Sequence, residues 1–204
     1  MNRRDRRPRR SFSINLSATR KMDLRILYWC VTINAGDGME TQLPKRKHPR
    51  LSQYDYSSDG MYYVTICTHG RRCLLSNVVG RGLAPAALQY TVYGEIARRE
   101  LLALPTRYPF LTVDRFAIMP NHIHVLFVFD ESAGASPRPT LMDIVCAYKS
   151  ITTAACKKYR PISKLFQDSF YEHIVRGEND YDEIARYIEE NPAKWELDEL
   201  YIPR

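Results

Sequence analysis

No uninterrupted apolar run in this 204-residue chain approaches the ~20 residues that a membrane-spanning helix needs, so no membrane span is expected. Cysteine is scarce and badly placed for pairing. Cys30, Cys67, Cys73, Cys146 and Cys156 are odd in number, scattered, and contain no CxxC pair. That argues against both a disulfide framework and a zinc ribbon, and it fits a reducing cytoplasm. The third shortage is local: residues 1–50 carry only 4 Asp and Glu against 13 Lys and Arg, whereas residues 51–204 carry 19 against 17. The net charge of +7 therefore belongs to the first part of the chain. A tail such as Arg3, Arg4, Arg6, Arg7, Arg9 and Arg10 can hold polyanions without specificity. Arg9-Arg10-Ser11-Phe12 has the look of a twin-arginine export signal, but Arg20, Lys21, Asp23 and Arg25 stand where its apolar segment should begin. A cytoplasmic protein is the expectation.

What is present suffices for one core, with 45% hydrophobic and 11% aromatic residues. A turn-rich stretch over residues 52–60 separates the basic extension, residues 1–49, from a domain over residues 50–204. Residues 61–68 (MYYVTICT) are β-branched and aromatic and predict a strand. Val92, Ile96, Leu101 and Leu104 fall near helical spacing before Pro105. Residues 110–118 and 122–129 read as strands of a hairpin joined by Met119-Pro120-Asn121. Leu141, Ile144, Val145, Tyr148, Ile151 and Thr152 mark a second helix over residues 140–159, and residues 170–175 a fourth strand. The order strand, helix, strand, strand, helix, strand predicts an α+β, ferredoxin-like split βαβ fold: a four-stranded antiparallel sheet with helices on one face. One more helix follows, with Asn179, Asp180 and Glu183 as a capping pattern and Pro192 as its stop. Tyr181, Ile184, Ala185 and Ile188 form its apolar stripe, with Tyr187 and Asn191 one turn apart beside it.

Two features carry chemistry. His122-Ile123-His124 lies in a strand, where residues two apart point the same way, so both imidazoles share a face. Two neutral imidazoles offer half of a metal site. Asn191, a hard oxygen donor suited to Mg²⁺ or Mn²⁺, is a candidate third ligand, and Glu190 is its rival. Tyr187, next to Asn191 on a short helix after the last strand, is the candidate nucleophile among 14 tyrosines.

The stretches AIMPNHIHVLF (residues 117–127), FYEHIVR (170–176) and YIEENPAKW (187–195) resemble the single-tyrosine HUH transposases of bacterial insertion sequences. The likeness is strongest to the REP-associated tyrosine transposases, and it is supported by RLSQYDY (50–56), VTICT (64–68) and YKS (148–150). It spans about residue 45 to residue 196. The resemblance implies that His122 and His124 bind the metal with Asn191, and that Tyr187 attacks DNA to form a 5′-phosphotyrosine. It implies a single-stranded or hairpin DNA substrate, and it leaves monomer and homodimer both open. Lys149, Lys157, Lys158, Arg160 and Arg176 are candidate phosphate contacts along the second helix and the fourth strand. Two other classes compete: a non-catalytic hairpin-binding regulator, and a metal-dependent phosphodiesterase that makes no covalent intermediate.

Overall fold

The alternation of Tyr62, Val64 and Ile66 with Tyr63, Thr65 and Cys67 gives the first strand two buried faces, and this demands cover on both. That strand, β1 (Gly60–Cys67), is central in the computed structural model, which describes residues 50–51, 53–80, 86–130 and 138–203. The expected basic extension over residues 1–49 lies outside the described residues. The elements that follow are β2 (Ser76–Val79), β3 (Ala87–Tyr90), α1 (Val92–Leu102), α2 (Leu104–Arg107), β4 (Leu111–Ile118), β5 (His122–Phe129), α3 (Leu141–Tyr159), β6 (Tyr171–Val175) and α4 (Glu178–Glu190).

The main sheet has the order β4-β5-β1-β6 with every neighbour antiparallel. This is the expected ferredoxin-like arrangement, with one addition. A two-stranded ribbon, β2 paired with β3, is inserted between β1 and α1. Its strands are only four residues each, too short to stand out in the pattern.

Period two along β5 divides the molecule. Ile123, Val125, Phe127 and Phe129 face one side and join a core with Ile96, Leu101, Ile144, Val145 and Tyr148 from α1 and α3. His122, His124 and Leu126 face the other side, where Leu126 packs with Tyr63, Met119, Ile184 and Ile188 of α4. α4 thus covers the face that α1 and α3 leave open.

The starts of α1 and α3 follow side-chain chemistry. Thr91 caps α1 by accepting from Gly94 N, and Thr140 with Asp143 forms a capping box at α3. α1 ends at Leu102, and Pro105 then sits in the first turn of α2, where a missing N–H costs nothing. The expected cap of α4 by Asn179 and Asp180 does not form, because both residues are already inside the helix, which starts after Gly177 at φ 92°. Asp180 folds back instead and accepts from Arg176 N at 2.7 Å while meeting His173 Nε2 at 2.9 Å. α4 is further tied to the sheet by Tyr181, whose hydroxyl donates to Asp114 at 2.9 Å beside the register shift in β4.

Candidate metal and nucleophile site

The β4–β5 hairpin delivers the two histidines. Both are fully buried on the α4 side of the sheet, and their Nε2 atoms lie 2.8 Å apart. Antiparallel register sets Cys67 opposite His122 and Thr65 opposite His124. Burial, with the positive Arg71 nearby as a lesser cause, holds the His122 pKa down to about 3. Burial and then the neighbouring His122 push His124 well below the ordinary imidazole range. Both rings are neutral at physiological pH, so each has one nitrogen with a free lone pair.

For His122 a neighbouring amide decides which nitrogen that is. Asn121 donates its Nδ2 to Leu200 O at 2.7 Å, which leaves Oδ1 to accept from His122 Nδ1 at 2.8 Å. His122 therefore carries its proton on Nδ1 and presents a bare Nε2. His124 Nδ1 lies 2.7 Å from the Tyr63 hydroxyl and 3.0 Å from the Thr65 hydroxyl, two groups that can accept from it or donate to it. The two Nε2 atoms face each other at 2.8 Å, and with His124 protonated on Nδ1 both lone pairs aim at a common point. Such oxygen partners are what fix the tautomer of metal-binding histidines.

α4 brings Tyr187 and Asn191 to the same place. The Tyr187 ring centroid is 5.2 Å from that of His124 and 6.4 Å from that of Tyr63. The element that completes the cluster comes from beyond α4. A short 3₁₀ turn at Trp195–Leu197 carries Asp198 back under the histidines, with its side chain 1% exposed. Asp198 Oδ2 accepts from Asn191 Nδ2 at 2.6 Å and from the Tyr187 hydroxyl at 3.2 Å, and it lies 4.0 Å from His122 Nε2. Asp198 Oδ1 accepts from Leu200 N at 2.7 Å. Burial first, and then Asp198, raise the Tyr187 pKa far above that of a free phenol.

His122, His124 and Asp198 each place a ligand atom within 4.8 Å of the others, close enough to hold a metal ion. Asn191 is buried, and its Oδ1 has no partner among the described residues. Two bare imidazole nitrogens, a buried carboxylate and an orphaned amide oxygen form a donor set that fits a divalent cation.

The other expected residues are placed differently. Glu190 turns away and pairs with Lys194 at 2.5 Å on the surface, so it is not part of the cluster. Lys149 is half-buried and donates to Asp168 O at 2.8 Å. Lys157, Lys158 and Arg160 are exposed at the end of α3, on the sheet face opposite the histidines. Their end of the helix leads into residues 165–167, which bond back to Cys67, Thr68 and His69 at the site end of β1. Arg176 is exposed just after β6, next to Val175, which pairs with Met61 at the other end of β1.

Tyr63, Thr65, Asn121 and Asp198 were not singled out in the sequence. The first two could have been found by aligning β1 with the histidine strand, since Thr65 faces His124 directly. Asp198 offers no such signal, because no periodic pattern surrounds it. Arg71 was missed as well. It is a non-glycine residue at φ 51°, and its Nη2 is buried without a partner among the described residues.

A protein of Haemophilus influenzae, itself uncharacterised, is 30% identical to this chain over 173 residues, which span 77% of the chain and 93% of that protein. The two proteins belong to one family. No protein-family model matches the chain. Among solved structures, a REP-associated tyrosine transposase bound to a REP hairpin superposes with a TM-score of 0.52 at 20% identity, covering 72% of this chain and 73% of that one. The family to which this chain and the Haemophilus protein belong therefore has the fold of that transposase.

Proposed function

We propose that this chain is a tyrosine transposase that cuts and rejoins single-stranded or hairpin DNA through a covalent 5′-phosphotyrosine on Tyr187. The observation that carries this reading is the convergence of a buried imidazole pair from β5 with a tyrosine and an asparagine from α4. All four side chains surround one carboxylate. The fold shared with a hairpin-bound transposase supports the same substrate class.

His122 and His124 would hold a divalent cation, Mg²⁺ or Mn²⁺, with the unpartnered Asn191 Oδ1 as an oxygen donor. When bound, the cation supplies Lewis-acid polarisation of the scissile phosphate and offsets charge growing on its oxygens. The Tyr187 oxygen forms a bond to phosphorus as the bond from phosphorus to the 3′-oxygen breaks, and the departing oxygen leaves as a 3′-hydroxyl. Attack by a 3′-hydroxyl on the phosphotyrosine reverses the step. The bond energy stays in the protein–DNA link, so no nucleotide triphosphate is consumed. Because burial keeps Tyr187 a phenol, its proton leaves during the attack. Tyr63, 6.4 Å away ring to ring, stays a neutral phenol for the same reason.

The test is covalent trapping on an oligonucleotide carrying a palindromic hairpin with flanking single strand, with Mn²⁺ or with chelator. The wild type is expected to give an SDS-resistant adduct only with metal, and Tyr187→Phe none. An adduct of undiminished yield from Tyr187→Phe would remove Tyr187 from the reaction. Multiple-turnover cleavage with no trapped species would favour the phosphodiesterase, and hairpin binding without cleavage would favour the regulator.

A further inference from the structure

The residues around the histidine pair leave one charge unanswered. Asp198 has a side chain 1% exposed, and burying a carboxylate is costly unless a positive charge or several hydrogen bonds answer it. Its three donors, the Tyr187 hydroxyl, Asn191 Nδ2 and Leu200 N, are all uncharged. Among the described residues no Lys or Arg forms an ion pair with it, and its one basic neighbour within 4.0 Å is His122, whose buried ring carries no charge. A cluster of this kind lacks a cation.

We infer that Asp198 is a metal ligand: its carboxylate, brought in by the segment after α4, joins His122 and His124 on the divalent cation of the proposed transposase. The inference rests on that reading for the cation and adds a residue to it. Three observations support it independently. The ligand atoms of the three residues already lie within 4.8 Å of one another. The Nε2 atoms of the two neutral rings meet at 2.8 Å, a contact that a ring proton or a cation must bridge. The longer of the two hydrogen bonds to Asp198 Oδ2 is the 3.2 Å bond from Tyr187, beyond the usual O–H···O range, so that bond is the one a cation can replace at least cost. Asn191 then has two tasks: its Nδ2 holds the carboxylate in place, and its Oδ1 remains free to face the metal. Two imidazoles and a carboxylate form a set that suits Mn²⁺ as well as Mg²⁺, and the carboxylate adds a negative charge that a site of imidazoles and amide alone lacks.

The experiment is a calorimetric titration of Mn²⁺ into the full chain without DNA, with electron paramagnetic resonance of unbound Mn²⁺ as a second readout. The proteins are wild type, Asp198→Ala, Asp198→Asn, Asn191→Ala and His122→Ala. Asp198→Asn keeps the shape of the side chain and removes its charge, so it covers the case in which the alanine variant unfolds. Asp198→Asn is expected to lose about 10-fold in Mn²⁺ affinity and Asp198→Ala about 100-fold, in line with the cost of disturbing metal-site groups. If both bind within about twofold of wild type while His122→Ala does not bind, Asp198 is only a hydrogen-bond acceptor and the inference is overturned. It is overturned equally if Asn191→Ala abolishes binding and both Asp198 variants keep it. If His122→Ala also binds normally, the histidine site itself fails, and the inference fails with it. Mn²⁺ binding by the wild type with no DNA adduct would instead count against the transposase reading alone.

Discussion

At the scale of single residues, His122 and His124 are buried without charge, and this couples folding to pH. An unfolded imidazole titrates near pH 6.5, while folded His122 does so near 3. Between those values the unfolded chain binds a proton that the folded chain refuses. The stability of the metal-free protein is therefore complete above about pH 6.5 and falls as pH drops below it, by up to about 1.4 kcal/mol per pH unit for each histidine. Thermal melts in EDTA are expected to show the midpoint falling from pH 7.5 to pH 5, and falling less in His122→Asn. An equal fall in both would mean that other groups dominate. The oxygens behind the rings make a second expectation. The Tyr63→Phe, Thr65→Val double variant removes both hydroxyl partners of His124 Nδ1 and is expected to weaken Mn²⁺ binding about 10-fold, as read by the same titration. Adjacent histidines in a strand and a tyrosine four residues before an asparagine were legible in the sequence because period two and period 3.6 place them without further information. Asp198 was not, because its place depends on how an irregular segment folds back.

Elements matter here through the way they are fastened. Gly94, in the first turn of α1, lies so close to the β1–β2 loop that an added Cβ would come within 2.0 Å of Leu75 O. That loop is in turn bonded to the β4–β5 turn through Thr68 N to Asn121 O and Leu75 N to Pro120 O. Gly94→Ala is expected to cost about 3 kcal/mol, the upper range for overpacking, and to lower Mn²⁺ affinity because the strain reaches Asn121. Unchanged stability in urea denaturation would show that the loop can yield. On the other face, Ile188→Ala removes a 2% exposed side chain from the contact of α4 with the sheet and is expected to cost about 2–4 kcal/mol. Every main-sheet strand and every long helix was readable from apolar spacing. The β2–β3 ribbon and the true start of α4 were not: strands of four residues carry too little alternation, and residues inside a first turn look like caps when only their type is known.

For the whole molecule, the sheet separates two surfaces. The face under α4 holds the histidine pair, while the exposed basic residues Lys157, Lys158 and Arg160 belong to the α3 layer. At the scale of a DNA hairpin these are not far apart, since the end of α3 and the histidines lie at the same end of the sheet. Replacing Lys157, Lys158 and Arg160 with alanine is expected to weaken hairpin binding and to flatten its dependence on KCl by about 0.7–0.9 in log–log slope for each phosphate no longer neutralised. Arg176→Ala, at the opposite end of β6, is expected to change the slope little, and gel-shift titrations over a salt series measure both. Equal effects would place the hairpin along the full length of the sheet. The segment after α4 has a further consequence. Asn121 depends on Leu200 O, and Tyr187 and Asn191 depend on Asp198, so residues from both halves of the site converge on the last stretch of the chain. In genetic terms, and on the proposed reading, a premature stop codon just before codon 198 is expected to leave every described strand and helix encoded and yet to abolish adduct formation, as the loss of a histidine would.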